Sequence, residues 1–316
     1  MNKNTKIYIA GHNGMVGGAI WRTMESAGFT NLIGRTSKEL DLRKQQAVDV
    51  FFEKENPKVV IDAAARVGGI VANNENPYTF LMQNLQIQNN LIDASLKNNV
   101  QKLIFLGSSC IYPKMAPQPL KEEYLLTGPL EPTNEWYAIA KIAGVKACEA
   151  IQKQYGKKFM SLMPTNLYGA NDNFDLETSH VLPAMIRKFH DAKNNNNSPV
   201  KLWGTGMAKR EFLLVDDLAE AVVFSLENDL EESLYNIGTG TDISIKELAE
   251  VIQRIVGHTG EIEWDKTKPD GTPRKLMDVS KLKQEGWQSK TDLKEGIEKT
   301  YEWFLNHQDD YRTVKI

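Results

Sequence analysis

Short apolar runs and longer amphipathic stretches alternate along the first half of the chain. Residues 6–10 form a β-rich run, a glycine-rich turn follows, and residues 15–27 carry helical apolar spacing through Met15, Ile20, Met24 and Ala27. Further apolar runs at Leu32–Ile33, 59–63, 103–106 and 159–163 are separated by helical stretches at Gln45–Glu55, 80–96 and 137–154. These runs are continuously hydrophobic rather than alternating, as strands are when both faces of a sheet are covered. The rhythm predicts an α/β fold built on a doubly wound parallel sheet with helices on both faces. After Tyr168 it breaks. Residues 169–179 are polar, the asparagines at 194–197 read as a surface loop tip, and helices at 181–192 and Ile245–Val256 frame less regular segments. Residues 216–226 and 233–237 read as a helix and a strand returning to the first sheet. The expected division is a larger domain of 1–168 plus about 211–239 and a smaller mixed α/β lobe of about 169–210 plus 240–316.

Composition narrows the class. The chain has 316 residues, 41% apolar and 25% charged, which is ordinary for a self-folding globular protein. Lysine plus arginine is 38 against 41 for aspartate plus glutamate, so a net charge of -3 gives no electrostatic case for a nucleic acid or an acidic membrane as partner. The two cysteines, Cys110 and Cys148, lack metal-ligand spacing, and neither a disulfide framework nor a metal site is expected. The first apolar run is too short for a signal-peptide core or a membrane span, which makes the cytoplasm the expected compartment.

Gly11, Gly14 and Gly17 stand three apart in Gly11-His12-Asn13-Gly14-Met15-Val16-Gly17, directly after the first strand and at the opening of the first helix. A dinucleotide pyrophosphate needs a turn with positive φ, close backbone approach and N–H groups at a helix N-terminus, and this turn offers all three. An ordinary tight turn is the competing reading; the strand–turn–helix setting favours the nucleotide and a Rossmann-type sheet. Where the second strand ends, an acidic residue selects a free ribose hydroxyl and a cation a 2′-phosphate. Arg35 stands there, which points to NADP, with Lys38 near it and Asp41 and Leu42 placed beside the adenine. A solvated loop arginine is the alternative.

Tyr137 and Lys141, four apart in a helical stretch, emerge on one face. An ammonium beside a phenol is expected to stabilise phenolate and bring a group of ordinary pKa about 10 into a useful range. The run at 103–106 ends in Gly107-Ser108-Ser109-Cys110. Ligands of open parallel sheets bind beyond such strand ends, which puts the Ser108 hydroxyl where a carbonyl would be polarised.

Together the glycine turn, the serine and the Tyr-x-x-x-Lys helix resemble the extended short-chain dehydrogenase/reductase family, many of whose members act on nucleotide sugars. Six blocks sharpen the resemblance: 11–17, Arg66-Val67-Gly68-Gly69-Ile70, 106–113, Glu131-Pro132-Thr133-Asn134, 164–169 and Arg210-Glu211-Phe212. They are similar to the branch that takes GDP-4-keto-6-deoxy-D-mannose, epimerises carbons 3 and 5 and reduces the 4-keto group with NADPH. The resemblance implies a homodimer and assigns Ser108, Tyr137 and Lys141 to reduction and Cys110 and His180 to proton exchange. To the cofactor it assigns Leu106, Gly107, Ser108, Ser109, Lys141, Pro164, Thr165, Asn166, Leu167 and His180, besides the glycine turn. Lys188, Trp203, Arg210 and Asp270 match substrate positions, suited to two phosphates and a flat guanine. Each has a bland alternative: a small buried hydrophobe for Cys110, a helix cap for His180, solvated charges or an exposed ring for the rest. Cys148 keeps the core reading. A rival within the family is a 4-epimerase or 4,6-dehydratase; a dehydratase is expected to carry an Asp-Glu pair after Ser108, where this chain has Ser109-Cys110.

Overall fold

A computed structural model describes residues 1–268 and 270–308. The chain opens as β1 (Ile7–Ala10), α1 (Met15–Ser26), β2 (Leu32–Ile33), α2 (Gln45–Glu55), β3 (Val59–Asp62), α3 (Ile70–Glu75) and α4 (Pro77–Lys97). It continues through β4 (Lys102–Leu106), α5 (Glu135–Tyr155), β5 (Lys158–Pro164), β6 (Asn166–Tyr168), α6 (Val181–Asn194), β7 (Val200–Trp203), β8 (Lys209–Arg210) and β9 (Phe212–Leu214). The remainder is α7 (Val215–Glu227), β10 (Leu234–Ile237), β11 (Ile243–Ser244), α8 (Ile245–Val256), β12 (Ile262–Asp265), β13 (Arg274–Lys275), α9 (Ser280–Gln284) and α10 (Leu293–Asn306).

Six strands form one parallel sheet in the order β10-β5-β4-β3-β1-β2. The chain moves outward from β1 to β2 and then returns to the other side of β1 as β3, so the direction of winding reverses between β1 and β3. In such sheets the crevice above that reversal, at the carboxyl ends of the strands, is where ligands sit. Both sheet faces are covered, which is why the strands read as unbroken apolar runs. Ile7, Ile9, Ile61 and Ile104 pack with Ile20 and Met24 of α1 and Leu218 and Val222 of α7. Tyr8, Val60, Leu103 and Phe105 pack on the opposite side with Phe52 of α2, Leu91 of α4 and Val145 of α5.

A third core joins Leu182, Ile186 and Phe189 of α6, Leu248 and Ile252 of α8 and Ile297 and Phe304 of α10, together with Phe212 and Leu214. Around it lie three small sheets, β11-β8-β13, β12-β7 and β6-β9. The expected boundary needs one correction: Leu282 and Trp287, read as part of the smaller lobe, are buried in the core of the large sheet. Leu282 of the short α9 and Trp287 thus pack in one cluster with Tyr235 and Ile237 of β10. Among the described residues no helix is long and apolar enough to cross a membrane.

Candidate active site

The turn after β1 shows why glycines stand where they do. Gly11 has φ +79°, and a β-carbon on it would lie 2.7 Å from the Ala63 carbonyl oxygen at the end of β3. A β-carbon on Gly17 would lie 2.2 Å from the Gly11 carbonyl, so only hydrogen permits α1 to start this close to the turn. Gly14 is the N-cap residue, with no side-chain hydrogen bond closing the helix end, and the first N–H groups of α1 therefore open onto the crevice. His12 packs against Gly34 at the end of β2; its Nδ1 is buried without a hydrogen-bond partner among the described residues, and burial lowers its pKa. A cradle that any side chain would fill, with an unpartnered ring nitrogen at its edge, fits a dinucleotide.

Arg35 follows on β2. Its guanidinium donates to the Glu55 carboxylate of α2 at 2.9 Å and lies 5.5 Å from the Phe51 ring, so the cation is held at the strand end. Beyond it Arg43 donates to both oxygens of Asp41, at 2.8 and 2.9 Å, and holds the Asp41 pKa down to about 2. The carboxylate is thus occupied locally, leaving Leu42, whose carbonyl accepts from Asn90, as the apolar neighbour at that edge.

At the end of β4 the reducing trio meets the thiol. A β-carbon on Gly107 would collide with Met163, so the chain there runs tight against β5 before Ser108 and the short 3-10 turn Ser109–Ile111. α5 crosses this end closely, because Gly144 lets its backbone rest on the Phe105 ring, where a β-carbon would come within 2.4 Å. That approach carries Lys141 inward. Its ammonium donates to the Leu106 carbonyl at 2.8 Å and lies 4.7 Å from the Phe105 ring and 5.9 Å from the Tyr137 ring. Burial lowers the Lys141 pKa, against the pull of Asp62 and Cys110. The four-residue spacing sets phenol and ammonium together on one face of α5. Burial pushes Tyr137 up, and the Cys110 and Asp62 charges add to it. Tyr137 is a neutral phenol at physiological pH. Cys110 is buried, and burial raises its pKa, with the Lys275 charge and a Ser108 hydrogen bond both opposing that rise.

His180 is the N-cap residue of α6, yet its side chain caps nothing; it keeps access to solvent while the protein packed around it desolvates the ring enough to lower its pKa. The loop after β3 packs here, since a β-carbon on Gly69 would meet the Thr178 and Ser179 carbonyls at 3.5 Å. Pro164 ends β5 and Leu167 packs on the large core, while the Thr165 hydroxyl and the Asn166 amide both donate to the Glu211 carbonyl, at 3.3 and 2.7 Å.

The four substrate positions lie in the smaller lobe. Trp203 is 58% exposed, with the Lys268 ammonium 5.4 Å from its ring, which leaves a flat face open. Lys188 donates to the Lys201 carbonyl and is held below its ordinary pKa by burial. Burial also lowers Arg210, which Asp270 and Glu131 oppose. Asp270 accepts from the Thr205 N–H and hydroxyl at 2.6 and 2.7 Å, so it fixes the turn after Trp203 as well as facing Arg210.

Sequence reasoning missed three groups. Glu211 is fully buried and accepts N–H bonds from Thr239, Gly240 and Met277, tying together the segments that flank the cleft. Lys275 faces the thiol. Asp62, at the end of β3, is 0% exposed; Oδ1 accepts from the Ala64 N–H at 3.1 Å and Oδ2 has no hydrogen-bond partner among the described residues. A lone carboxylate in a strand buried on both faces was its signal. Burial lifts the Asp62 pKa to about 6, with Lys141 opposing. The folded state therefore keeps a proton that the unfolded chain loses near pH 4, so stability falls as pH rises from about 4 to about 6 and stays reduced above it. Asp62→Asn is expected to be more stable than the native chain by about 3 kcal/mol at pH 8 and nearly equal at pH 4. Urea unfolding at the two pH values checks this; an equal difference at both would show that the carboxyl is not proton-linked.

The chain is similar over nearly its whole length to curated proteins. It is 56% identical to GDP-L-fucose synthase 1 of Arabidopsis thaliana, covering 97% of this chain and 95% of that one. It is 51% identical to GDP-L-fucose synthase of Escherichia coli strain K12, covering 97% and 98%. Among solved structures it superposes on a GDP-L-fucose synthetase from Naegleria fowleri bound to NADP, with a TM-score of 0.91, 29% identity and coverage of 99% and 96%. The family model of the NAD dependent epimerase/dehydratase family matches residues 7–238, and the chain belongs to that family.

Proposed function

We propose that this enzyme converts GDP-4-keto-6-deoxy-D-mannose to GDP-L-fucose by epimerising carbons 3 and 5 and then reducing the 4-keto group with NADPH. One observation carries the reading: the thiol of Cys110 shares the end of β4 with Ser108, Tyr137 and Lys141, so a proton-exchanging group stands beside a reducing trio. The relatives named GDP-L-fucose synthase support it. The larger unit would hold the cofactor through 11–17, Arg35 and the strand ends, and the smaller lobe the GDP moiety through Lys188, Trp203, Arg210 and Asp270.

In the first stage, a base removes the proton next to the ketone, the electron pair moves into the carbonyl, and an acid returns a proton to the opposite face. Ser108 and Tyr137 hold the resulting enolate oxygen by hydrogen bonds. Cys110 and His180 carry the protons. At neutral pH the raised thiol is protonated and the lowered imidazole is neutral, so the resting pair contains one donor and one acceptor. For the second stage, residues 11–17 and Arg35 would hold NADPH, which would supply the hydride for carbon 4. Tyr137 gives its proton to the developing alkoxide, and Lys141, fixed on the Leu106 carbonyl, keeps a positive charge beneath it. The working protein is a cytoplasmic homodimer; exposed Trp136 and Ile139 on α5 supply apolar surface for a helix pair.

Incubation with GDP-4-keto-6-deoxy-D-mannose and NADPH, with the product identified by NMR, tests the reading: GDP-L-fucose supports it, and an unepimerised reduced sugar or recovered substrate defeats it. Preference between cofactors rests on Arg35. Arg35→Asp is expected to lower kcat/KM for NADPH about tenfold or more, the worth of one charge-assisted phosphate contact, with little change for NADH. Equal efficiency with both cofactors in the native enzyme would remove that role.

A further inference from the structure

Cys110 lines a small cavity with Lys114, Glu131, Thr272, Arg274 and Lys275. Lys275 reaches it from β13, far along the chain, and its placement is fixed from both sides. β13 pairs with β8 so that Lys275 stands opposite Arg210. Beyond it, the Leu276 N–H donates to the Gln118 side-chain carbonyl at 2.9 Å, the Leu120 N–H to the Leu276 carbonyl at 2.7 Å and the Met277 N–H to Glu211 at 2.8 Å. The strand is therefore bolted to the loop that leaves Cys110. Both Arg274 and Lys275 line the cavity; Arg274 is exposed and donates to Asp242, while Lys275 is half-buried.

Resting on the function proposed above, we propose that Lys275 is a positioning residue for proton exchange, a fixed cation that faces the Cys110 thiol across this cavity and stabilises its thiolate. A thiol must pass through thiolate whichever way it moves its proton, and a buried thiolate without a counter-charge is costly. The groups around the pair leave this role to Lys275. Facing the thiol are Ser108, Lys141, Tyr137 and Lys275, and Lys114 and Arg274 line the same cavity; Lys114 is paired with Glu131, Arg274 with Asp242, Lys141 is fixed on the Leu106 carbonyl, and Tyr137 is a neutral phenol. Facing Lys275 are Cys110, Arg210 and Glu131. Glu131 is engaged by Lys114 at 3.0 Å and by the Thr272 hydroxyl at 3.3 Å. Among the influences on the thiol, the Lys275 charge is the largest that favours thiolate, and burial lowers the Lys275 pKa while Cys110 opposes that fall.

The test reads thiolate directly, without substrate. Alkylation of Cys110 by iodoacetamide is followed from pH 6 to 10 by peptide mass spectrometry, with core-buried Cys148 as the internal control. Lys275→Met is expected to slow Cys110 alkylation about tenfold at pH 8, which corresponds to a midpoint raised by about one unit, while Lys275→Arg stays near the native rate. Deuterium exchange at carbons 3 and 5 should fall in parallel in Lys275→Met and recover in Lys275→Arg. Unchanged alkylation in Lys275→Met, or equal slowing in both variants, overturns the proposal. If Lys275→Met does not fold, as judged by circular dichroism and the Cys148 rate, Lys275→Gln makes the same comparison with Lys275→Arg. Native enzyme that fails to exchange deuterium would defeat the proposed function instead, since the alkylation result stands apart from it.

Discussion

Tyr137→Phe is expected to lower reduction of the 4-keto sugar by at least about 10³-fold while NADPH binding changes by no more than about twofold. The ring packs edge-on against Phe80, with centroids 6.4 Å apart, and phenylalanine keeps that contact, so the variant loses only the hydroxyl. What disappears is the proton given to the alkoxide at carbon 4. Because burial raises the phenol, native reduction should show no alkaline loss from its ionisation between pH 6 and 9, whereas a lysine-lowered phenol would bend the profile within that range. Deuterium exchange at carbons 3 and 5 should survive in part, since Ser108 still polarises the ketone. Single-turnover reduction with a fluorescence titration of NADPH measures both halves. Near-native turnover would mean that another group delivers the proton.

The parts of the site that the sequence displayed are those whose chemistry is local. The glycine turn is legible because β1, the turn and α1 are contiguous, and the steric demands on Gly11 and Gly17 are met within a few residues and one neighbouring strand end. The helix carrying Tyr137 and Lys141 is legible for the same reason, since a four-residue spacing states its own geometry. Their electrostatics were not. The direction of the Tyr137 shift depends on the protein packed around it at the strand ends and on Cys110 and Asp62, which arrive from the turn after β4 and from β3. Lys275 was invisible for a similar reason: two short strands, β8 and β13, bring it to the thiol, and two-residue strands have no period to read. The return of Leu282 and Trp287 to the large core is equally non-local, and the boundary drawn at about 239 missed it.

Cys110→Ser and His180→Asn are each expected to reduce deuterium incorporation at carbons 3 and 5 by about 10²-fold or more and to leave hydride transfer to a ketone intact. Serine keeps the size of the thiol and replaces it with a hydroxyl far harder to ionise, so neither the Lys275 charge nor the Ser108 hydrogen bond can bring it to exchange protons near neutrality. Asparagine at 180 preserves hydrogen bonding and removes the titrating group; because the native side chain caps no N–H of α6, the helix start should be undisturbed. The two losses should also differ in pH. The imidazole lies below its ordinary pKa of about 6.5, so exchange by the native enzyme should hold across neutrality and fall on an acidic limb beneath that value as the base is protonated. That limb should vanish in His180→Asn and remain in Cys110→Ser, superimposed on a lower rate. Residual product in either variant should be a reduced sugar that is unepimerised or inverted at one carbon only, because reduction by Ser108, Tyr137 and Lys141 then overtakes inversion. Exchange at the native rate in both variants would make these residues structural and would require a different acid and base for inversion.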